Sequence, residues 1–435
     1  MSNFVRALSV ASLLALLACS ACAREPSKVS SEQATLVAGD VVPKRIYARP
    51  LARNLAGETL TSSRPTSPKR ALQLGATIAP RVFKETMLFV PAGSSAGTFT
   101  IPIDHPAGAS IYALPGGGGD VALSRAARAD LALSSPSGAG VIHDGPLDAL
   151  SVAHLFESHE RGLYVIEVGA VAASAGMTID VRIPESSIAM ALTPSSHELL
   201  YGDEGVVVVD LADGASSIDG ATIEARLLSP ITRTKSAPLS VRARSQGRYE
   251  VLVSSAFRAI DPIGVQHVEV RAVGASHGVA FDRFGSVAFH FGVPTARIAS
   301  TSTPRLVRDE DGKVRAFEVD VALESASRDR LELTATLVDG DERPGSIANT
   351  TVTLDEGAHL VTLRFDAGDV ALAGLDGPLR LRNLRLFSLG TNTLFHALGR
   401  GLDVRFPVVA RAELAGQTAL TPATAKMIEQ GAFEE

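Results

Sequence analysis

The stretch Ala221-Thr222-Ile223-Glu224-Ala225-Arg226-Leu227 decides the fold, because apolar side chains occupy its odd positions and polar side chains its even ones. A β-strand points successive side chains to opposite faces of its sheet, so this alternation predicts a strand with one buried face. The pattern returns at residues 239–243 and at residues 317–323. Each such strand needs a second layer to cover its apolar side.

From about residue 77 the chain is a series of short alternating runs separated by Gly, Pro, Asp and Ser, which predicts an all-β fold. Two sheets must close on each other, and sandwiches of this kind take about 100 residues. Boundaries at Ile183-Pro184-Glu185-Ser186 and Val293-Pro294-Thr295 predict three tandem antiparallel immunoglobulin-like β-sandwich domains: 77–186, 187–293 and 294–408. The tail, 409–435, is expected to hold at most a short helix.

Composition agrees with a folded, water-exposed body. The chain has 435 residues, a net charge of −6 and 20% charged residues. It has no tryptophan, which argues against a carbohydrate module built on stacked indoles. Residues 23–435 contain no cysteine, so disulfides, thiol catalysis and thiolate metal sites are excluded there.

The first residues predict export. An apolar run of about a dozen residues ends at Ala18, too short to span a bilayer and typical of a signal peptide. Leu16-Leu17-Ala18-Cys19 resembles the lipobox of bacterial lipoproteins, which implies cleavage after residue 18, lipidation of Cys19 and, with Ser20 next, an outer-membrane location. The alternative is ordinary secretion with Ala21-Cys22-Ala23 as the cleavage site.

Residues 19–76 are rich in Pro, Ser and Arg, and we expect a disordered linker between anchor and body. Residues 24–90 hold 11 Lys and Arg against 5 Asp and Glu. Such a basic stalk favours either contact with anionic phosphates or a plain solvated spacer.

Tyr164 and Tyr249 each follow a Gly turn at the start of a strand, as in the tyrosine corner of Greek-key sandwiches. Residues 132–138 with Gly162-Leu163-Tyr164 resemble the small sandwiches appended to secreted bacterial peptidases. Residues 221–291 resemble bacterial immunoglobulin-like domains, and residues 361–378 are similar to sandwiches of uncharacterised exported bacterial proteins. These resemblances imply no catalytic residues.

Two G-x-S-x-G motifs raise the possibility of a serine hydrolase: residues 93–97 and residues 274–278, the latter with Ser276 as nucleophile beside His277. A nucleophile elbow requires a strand before the serine and a helix after it. Strand-like runs follow both motifs, so glycine-rich hairpin loops are the simpler interpretation.

Candidate ligand sites are weak, and we predict no metal or cofactor. His154 and His159 lie five residues apart, a spacing that fits neither a helix face nor a strand face. Asp309-Glu310-Asp311-Gly312 begins like a calcium loop but lacks the later acids, so a hairpin turn is expected. Gly116 to Gly119 lacks the Lys-Ser/Thr of a phosphate-binding loop.

The strongest binding candidate is the run 379–386, where Arg380, Arg382 and, with them, Arg385 are expected on the outward side of one strand. Such a stripe binds carboxylates or phosphates bidentately. The alternative is that these charges keep an edge strand from pairing with a neighbour.

These features predict a non-enzymatic, membrane-tethered envelope protein with a structural or macromolecule-binding role, for which a protein or an envelope polysaccharide is the expected partner. A nucleic-acid partner is not expected, and the oligomeric state stays open. The alternatives are an accessory or targeting partner of a secreted peptidase and, less in keeping with the motif context, a serine hydrolase using Ser276.

Overall fold

The structure, a computed structural model, describes eleven stretches of the chain. They are residues 40–48, 58–66, 78–115, 121–125, 140–141, 154–158, 161–228, 236–253, 264–375, 377–399 and 404–415. Cys19, His159 and Gly116 to Gly119 lie outside them. Within these stretches the chain is almost entirely β, and three separate hydrophobic cores are present. The predicted all-β fold is confirmed. Among the described residues, no helix has the length and apolar character needed to cross a membrane.

Strands β1 (Leu60–Pro65) and β2 (Arg81–Phe83) come first in the chain, and the first sandwich follows them. Its elements are β3 (Glu85–Val90), β4 (Gly97–Ile103), β5 (Ala109–Pro115), β6 (Val121–Arg125), β7 (Gly140–Val141), β8 (His154–Ser158), β9 (Gly162–Val168), helix α1 (Ala170–Ala175) and β10 (Met177–Arg182). One sheet has the order β3-β10-β5-β8-β7 and the other β4-β9-β6. Ile101, Ile111, Tyr164, Ile166 and Ile179 are completely or almost completely buried between the two sheets.

The second sandwich continues from residue 188. Its strands are β11 (Ile188–Pro194), β12 (Glu198–Leu200), β13 (Val206–Asp213), β14 (Ser216–Ser217), β15 (Thr222–Leu228), β16 (Ser236–Pro238), β17 (Ser240–Ala243), β18 (Arg248–Leu252), β19 (Gly264–Ser276) and β20 (Val279–Gly292). The sheets have the orders β17-β18-β13-β11-β2 and β12-β20-β19-β15-β16, and β14 pairs with β13. In β15 the apolar residues 223, 225 and 227 are less exposed than their polar neighbours, as the opening alternation predicts.

The third sandwich contains the largest core. Its elements are β21 (Ala296–Thr301), β22 (Arg305–Arg308), β23 (Val314–Ser325), β24 (Asp329–Val338), β25 (Pro344–Leu354), β26 (Gly357–Asp366), helix α2 (Ala367–Ala373), β27 (Arg380–Ser388) and β28 (Thr393–Leu398). One sheet has the order β1-β25-β24-β27-β28, while in the other β23 pairs with β21, β22 and β26. Phe317, Val319, Val321 and Leu323 of β23 are completely buried, so the predicted alternation holds here as well.

The predicted linker, 19–76, is wrong for two of its segments. β1 pairs along its whole length with β25. The hydroxyl of Ser63 in β1 donates to Asp369 at 2.5 Å, and the backbone N–H of Asp366 donates to that hydroxyl. Further upstream, Val41 exchanges backbone hydrogen bonds with Ala397 of β28. Backbone pairing with distant strands, which needs no hydrophobic alternation, holds these segments on the body.

Two domain limits also differ from the prediction. β2 lies after residue 77 but pairs with β11, and Phe83 is buried in the second core, so the start of the predicted first domain belongs to the second sandwich. At the other end the third sandwich continues past residue 408. A 3-10 turn (Arg411–Glu413) precedes Leu414, which bridges Val314 and is buried in the third core. Residues 416–435 of the predicted tail lie outside the described residues.

Candidate anion-binding face

Strand β27, which carries the arginine stripe, lies inside its sheet. It is hydrogen-bonded to β24 on one side and to β28 on the other. The ladder to β28 covers only Leu384 to Ser388, and residues 404–406 cover the preceding part of β27, where the N–H of Leu381 donates to the carbonyl of Val404 at 3.1 Å. The alternative that these arginines protect an edge strand is therefore wrong, since β27 has no open edge among the described residues. Their charge needs another explanation.

A β-bulge brings all three arginines to one face. Arg380, Arg382 and Arg385 pair with residues 338, 336 and 334 of β24, which are alternate positions and so point to the same side. The register shifts between the last two pairs, and Asn383 has a φ of 51° there. Asparagine tolerates this left-handed conformation better than most residues, so it allows a bulge with one extra residue in β27. The extra residue returns the Arg385 side chain to the face that carries Arg380 and Arg382.

Glu342 is the counter-ion of the stripe. Its carboxylate accepts from Nε and Nη2 of Arg382 at 2.9 and 2.8 Å and lies 4.0 Å from Nη1 of Arg380. The hairpin that presents it is fixed by buried Asp339, whose Oδ1 accepts from the backbone N–H groups of Asp341 and Arg343, both at 2.9 Å. Two guanidinium groups thus share one preorganised carboxylate.

The three arginines differ in exposure. Arg382 is buried, Arg380 is half-buried and Arg385 is exposed. Nε of Arg380 is shielded from solvent and has no hydrogen-bond partner among the described residues, while Nε of Arg385 donates to Oδ1 of Asn383 at 2.9 Å. Glu342 therefore holds Arg382 in hydrogen bonds and lies near Arg380, while exposed Arg385 can direct its remaining N–H groups to a carboxylate or phosphate ligand.

Register extends this face across the sheet. Ser62 of β1, Asn349 of β25, Thr334 of β24 and Arg385 of β27 lie in one row, because each pairs with the next. The neighbouring row begins with exposed Arg64 and ends with Arg382. We call these two rows, together with Arg380, the arginine face. Sequence reasoning missed Ser62 and Arg64 because both fall in the predicted linker.

The other sequence candidates have structural roles. Ser276 ends β19 at a two-residue hairpin, with His277 and Gly278 at φ 49° and 77°, the left-handed conformations that such a turn requires. The Ser276 hydroxyl donates to Oδ2 of Asp213 at 2.7 Å, and the hydrogen bonds from Ser187 and Ser276 hold the pKa of Asp213 below its usual value. No helix follows the serine, so the elbow context is absent and the hairpin interpretation is confirmed.

The remaining motifs also lie at turns or on strands. Residues 93–97 form the turn from β3 to β4. Asp309 accepts from the backbone N–H groups of Asp311 and Lys313, which closes the predicted hairpin between β22 and β23. His154 begins β8. Within the described stretches, no group of three or more His, Cys, Asp or Glu side chains is placed to hold a metal ion.

The tyrosine-corner comparison fits Tyr249 in part. Its hydroxyl accepts from the backbone N–H of Ala221 at 3.0 Å, which ties β18 to the start of β15. The partner lies 28 residues upstream, whereas a tyrosine corner closes over a few residues. The bond therefore joins the two sheets of the second sandwich.

A buried ion pair at the junction of the first two sandwiches was not foreseen. Arg283 of β20 is completely buried, and its Nη2 donates to Oδ2 of Asp104 at 2.7 Å and to Ser186 at 2.7 Å. Burial lowers the pKa of Arg283, and the Asp104 charge opposes that shift. Beside this pair, Thr86 of β3 donates to Asp282 at 2.9 Å. The two sandwiches are thus joined by polar side chains.

Comparisons with known proteins support this architecture. Residues 295–403, which lie in the third sandwich, match the family described as "Domain of unknown function (DUF4785) C-terminal domain". The chain is similar to a solved DUF4785 family protein from Legionella pneumophila subsp. pneumophila str. Philadelphia 1, with 16% identity and a TM-score of 0.64 over 84% of this chain and 99% of that chain. This likeness agrees with the β-sandwich architecture and concerns the fold alone.

Trypsin-activated alpha-2-macroglobulin from Escherichia coli is a more distant neighbour, with 14% identity and a TM-score of 0.21 over 81% of this chain and 24% of that chain. A search of curated proteins finds no match to this chain.

Proposed function

We propose that this protein is a non-enzymatic envelope protein, tethered through Cys19, that binds an acidic polysaccharide on the arginine face. The observation that carries the proposal is the placement of Arg380, Arg382 and Arg385 on one side of an interior strand. Charges there have no edge to protect. Arginine presents a planar fork that matches carboxylate and phosphate groups.

An extended polymer fits this face better than a small anion. Alternate residues of a strand stand about 6.6 Å apart, so the arginines offer a line of binding points and not a single pocket. The row formed by Ser62, Asn349, Thr334 and Arg385 adds hydroxyl and amide groups, which pair with sugar hydroxyls. Acidic polysaccharides carry both kinds of group, whereas a phosphate ion uses only the arginines.

The tether supports the same arrangement. Asp40, the first described residue, lies 21 positions after Cys19, and an extended chain of that length spans at most about 75 Å. Val41 is hydrogen-bonded to Ala397 of β28, the strand next to β27. A lipid on Cys19 therefore keeps Asp40, and with it the β28 edge of this sheet, within about that distance of the bilayer. A Cys19→Ser variant is expected to lose the label that metabolic incorporation of a fatty acid gives the parent chain.

Binding is tested with the double variant Arg380→Ser/Arg385→Ser, which leaves the Arg382–Glu342 pair in place. The probes are polygalacturonate, a carboxylated polysaccharide, and dextran, its neutral counterpart. A charge-assisted hydrogen bond contributes about 1.5–3 kcal/mol, so loss of one such contact weakens polygalacturonate binding by about tenfold or more. The control is Arg242→Ser/Arg315→Ser, which removes two exposed arginines from β17 and β23.

A Glu342→Gln variant provides the opposite perturbation. Removing the shared carboxylate leaves Arg380 and Arg382 without their anion, so polygalacturonate binding is expected to tighten. Equal binding by the chain and its Arg380→Ser/Arg385→Ser variant, or an equal loss in the control, would contradict the proposal.

A further inference from the structure

At one end of the first sandwich, two described segments form a surface without charge. No Asp, Glu, Lys or Arg occurs from Thr86 to Ile103 or from Val168 to Ile179. The fold brings these two runs together: the N–H of Gly93 donates to the carbonyl of Ser174 at 2.9 Å. We call residues 89–97 and 170–176 the apolar tip.

Large apolar side chains are exposed on this tip. Phe89 is 62% exposed and Val171 is 61% exposed. Pro91, Ala92 and Ala170 around them are exposed as well. Gly176 faces Ala92 so closely that a Cβ there would lie 2.9 Å from the Ala92 nitrogen, so the two turns pack tightly. The tip is therefore a continuous surface of the first sandwich, formed by two turns in contact.

The tip lies at the end of the first sandwich that faces away from the second. The junction with the second sandwich is formed by Thr86, at the start of β3, and by Asp104, just after β4. Phe89 lies toward the end of β3 and Gly97 begins β4, so both are at the opposite end. A partner reaches the tip without displacing another part of the described chain.

We infer that the apolar tip inserts into the surface of a phospholipid bilayer. Its 16 residues are fewer than the 20 to 30 that each side of a stable protein interface contributes. Shallow insertion needs only a few apolar side chains, because binding scales with the apolar area that leaves water. A surface without charge enters lipid with no charge to desolvate. This inference goes beyond the proposed polysaccharide binding and does not depend on it.

Because the tip carries no charge, its insertion into lipid can be distinguished from electrostatic adsorption. A basic segment binds anionic lipid and is released by salt, as the basic stalk upstream of the tip would be. The tip is expected to bind vesicles of phosphatidylcholine alone, and salt is expected not to release it. Neutral vesicles therefore separate the tip from the stalk.

The experiment uses the chain from Arg24 onward, which keeps every described residue and omits the apolar leader. The chain has no tryptophan, so Phe89→Trp and Val171→Trp each supply a single reporter. With phosphatidylcholine vesicles, both are expected to show blue-shifted emission and quenching by brominated lipid. Leu360→Trp, at a site in β26 that is 73% exposed, is the matched control and is expected to show neither.

Flotation with the same vesicles gives a second measurement. Phe89→Ser/Val171→Ser is expected to weaken flotation by about tenfold or more, since burial of one large side chain accounts for at least that factor. The control Leu360→Ser/Val408→Ser is expected to float like the parent chain. Absence of flotation, an equal emission shift at Leu360→Trp, or a dimer in light scattering that Phe89→Ser dissociates would overturn the inference.

Discussion

Replacing Asp104 by alanine tests whether the buried ion pair joins the first and second sandwiches. Arg283 is completely buried, and its Nη2 lies 2.7 Å from Oδ2 of Asp104. In Asp104→Ala the guanidinium keeps the carbonyl oxygens of Ile188 and Asp282, at 3.0 and 2.7 Å, but loses its opposite charge. The variant therefore leaves a buried cation whose remaining hydrogen-bond partners are neutral, and the nearby carboxylates of Asp282 and Glu85 compensate its charge only in part.

The expected loss follows from this geometry. Removing one partner of a buried ion pair costs about 3–5 kcal/mol, because the remaining charge is not compensated. The two carbonyl contacts and the Ser186 hydroxyl remain, so we expect the lower end, about 3 kcal/mol. By contrast, the Arg308–Glu413 pair is exposed, and Glu413→Ala should cost at most about 1 kcal/mol.

The assay is urea unfolding, read by a tryptophan placed at Phe99, a half-buried side chain packed against the first core, so that the first sandwich is followed directly. With a urea m-value of about 1–3 kcal/mol/M, a loss of about 3 kcal/mol lowers the midpoint by about 1–3 M. The double variant Asp104→Ala/Arg283→Met should lose less than the two single variants together, since it leaves no unpaired charge. A midpoint shift no larger than that of Glu413→Ala would refute the reasoning.

Two further predictions concern the cores of the other sandwiches. Burial lowers the pKa of His396 to about 4, and its Nδ1 accepts from the N–H of Ile298 at 3.0 Å, so the folded state favours the neutral ring. The stability that the neutral His396 ring contributes is fully present above the unfolded pKa of 6.5 and is lost as pH falls toward 4, which amounts to about 3 kcal/mol. His396→Gln should therefore make the unfolding free energy less dependent on pH in this range. At Gly247, with a φ of 68°, an added Cβ would lie 2.5 Å from the Leu211 carbonyl oxygen, so Gly247→Ala should lower the unfolding free energy by about 1–3 kcal/mol, whereas Gly214→Ala, with open space around its Cα, should cost less.

The sequence predicts the strands that bury one face, because alternation is local. Residues 317–323 in β23 and residues 223–227 in β15 fit this description. It does not predict β1, whose residues Leu60–Pro65 show no alternation. That strand is held by a ladder to β25, more than 280 residues away, and by the hydroxyl of Ser63. Such long-range contacts require no alternation of apolar and polar residues in the sequence.

The apolar tip gave a signal that sequence reasoning did not use. The runs 86–103 and 168–179 are visibly free of charge, but each alone resembles an ordinary strand with its turn. Only their meeting at one end of the first sandwich makes a continuous surface, and that meeting depends on the pairing of β10 with β3. The composition of the two runs therefore indicates a surface without charge, and the pairing of the strands determines where that surface forms.

In the arginine face as well, part of the arrangement follows from the local sequence and part follows from the pairing of the strands. Alternation alone puts Arg380 and Arg382 on one side of a strand but puts Arg385, three positions later, on the other. The bulge at Asn383 reverses that outcome, and it arises from pairing with β24, which the sequence of β27 does not encode by itself. Strand order is equally non-local, and it decides whether a charged strand protects an edge or displays a row of arginines from within a sheet. Because β27 lies between two neighbours, its arginines protect no edge, and Arg64 lies in the row of Arg382 only because a segment far upstream completes the sheet.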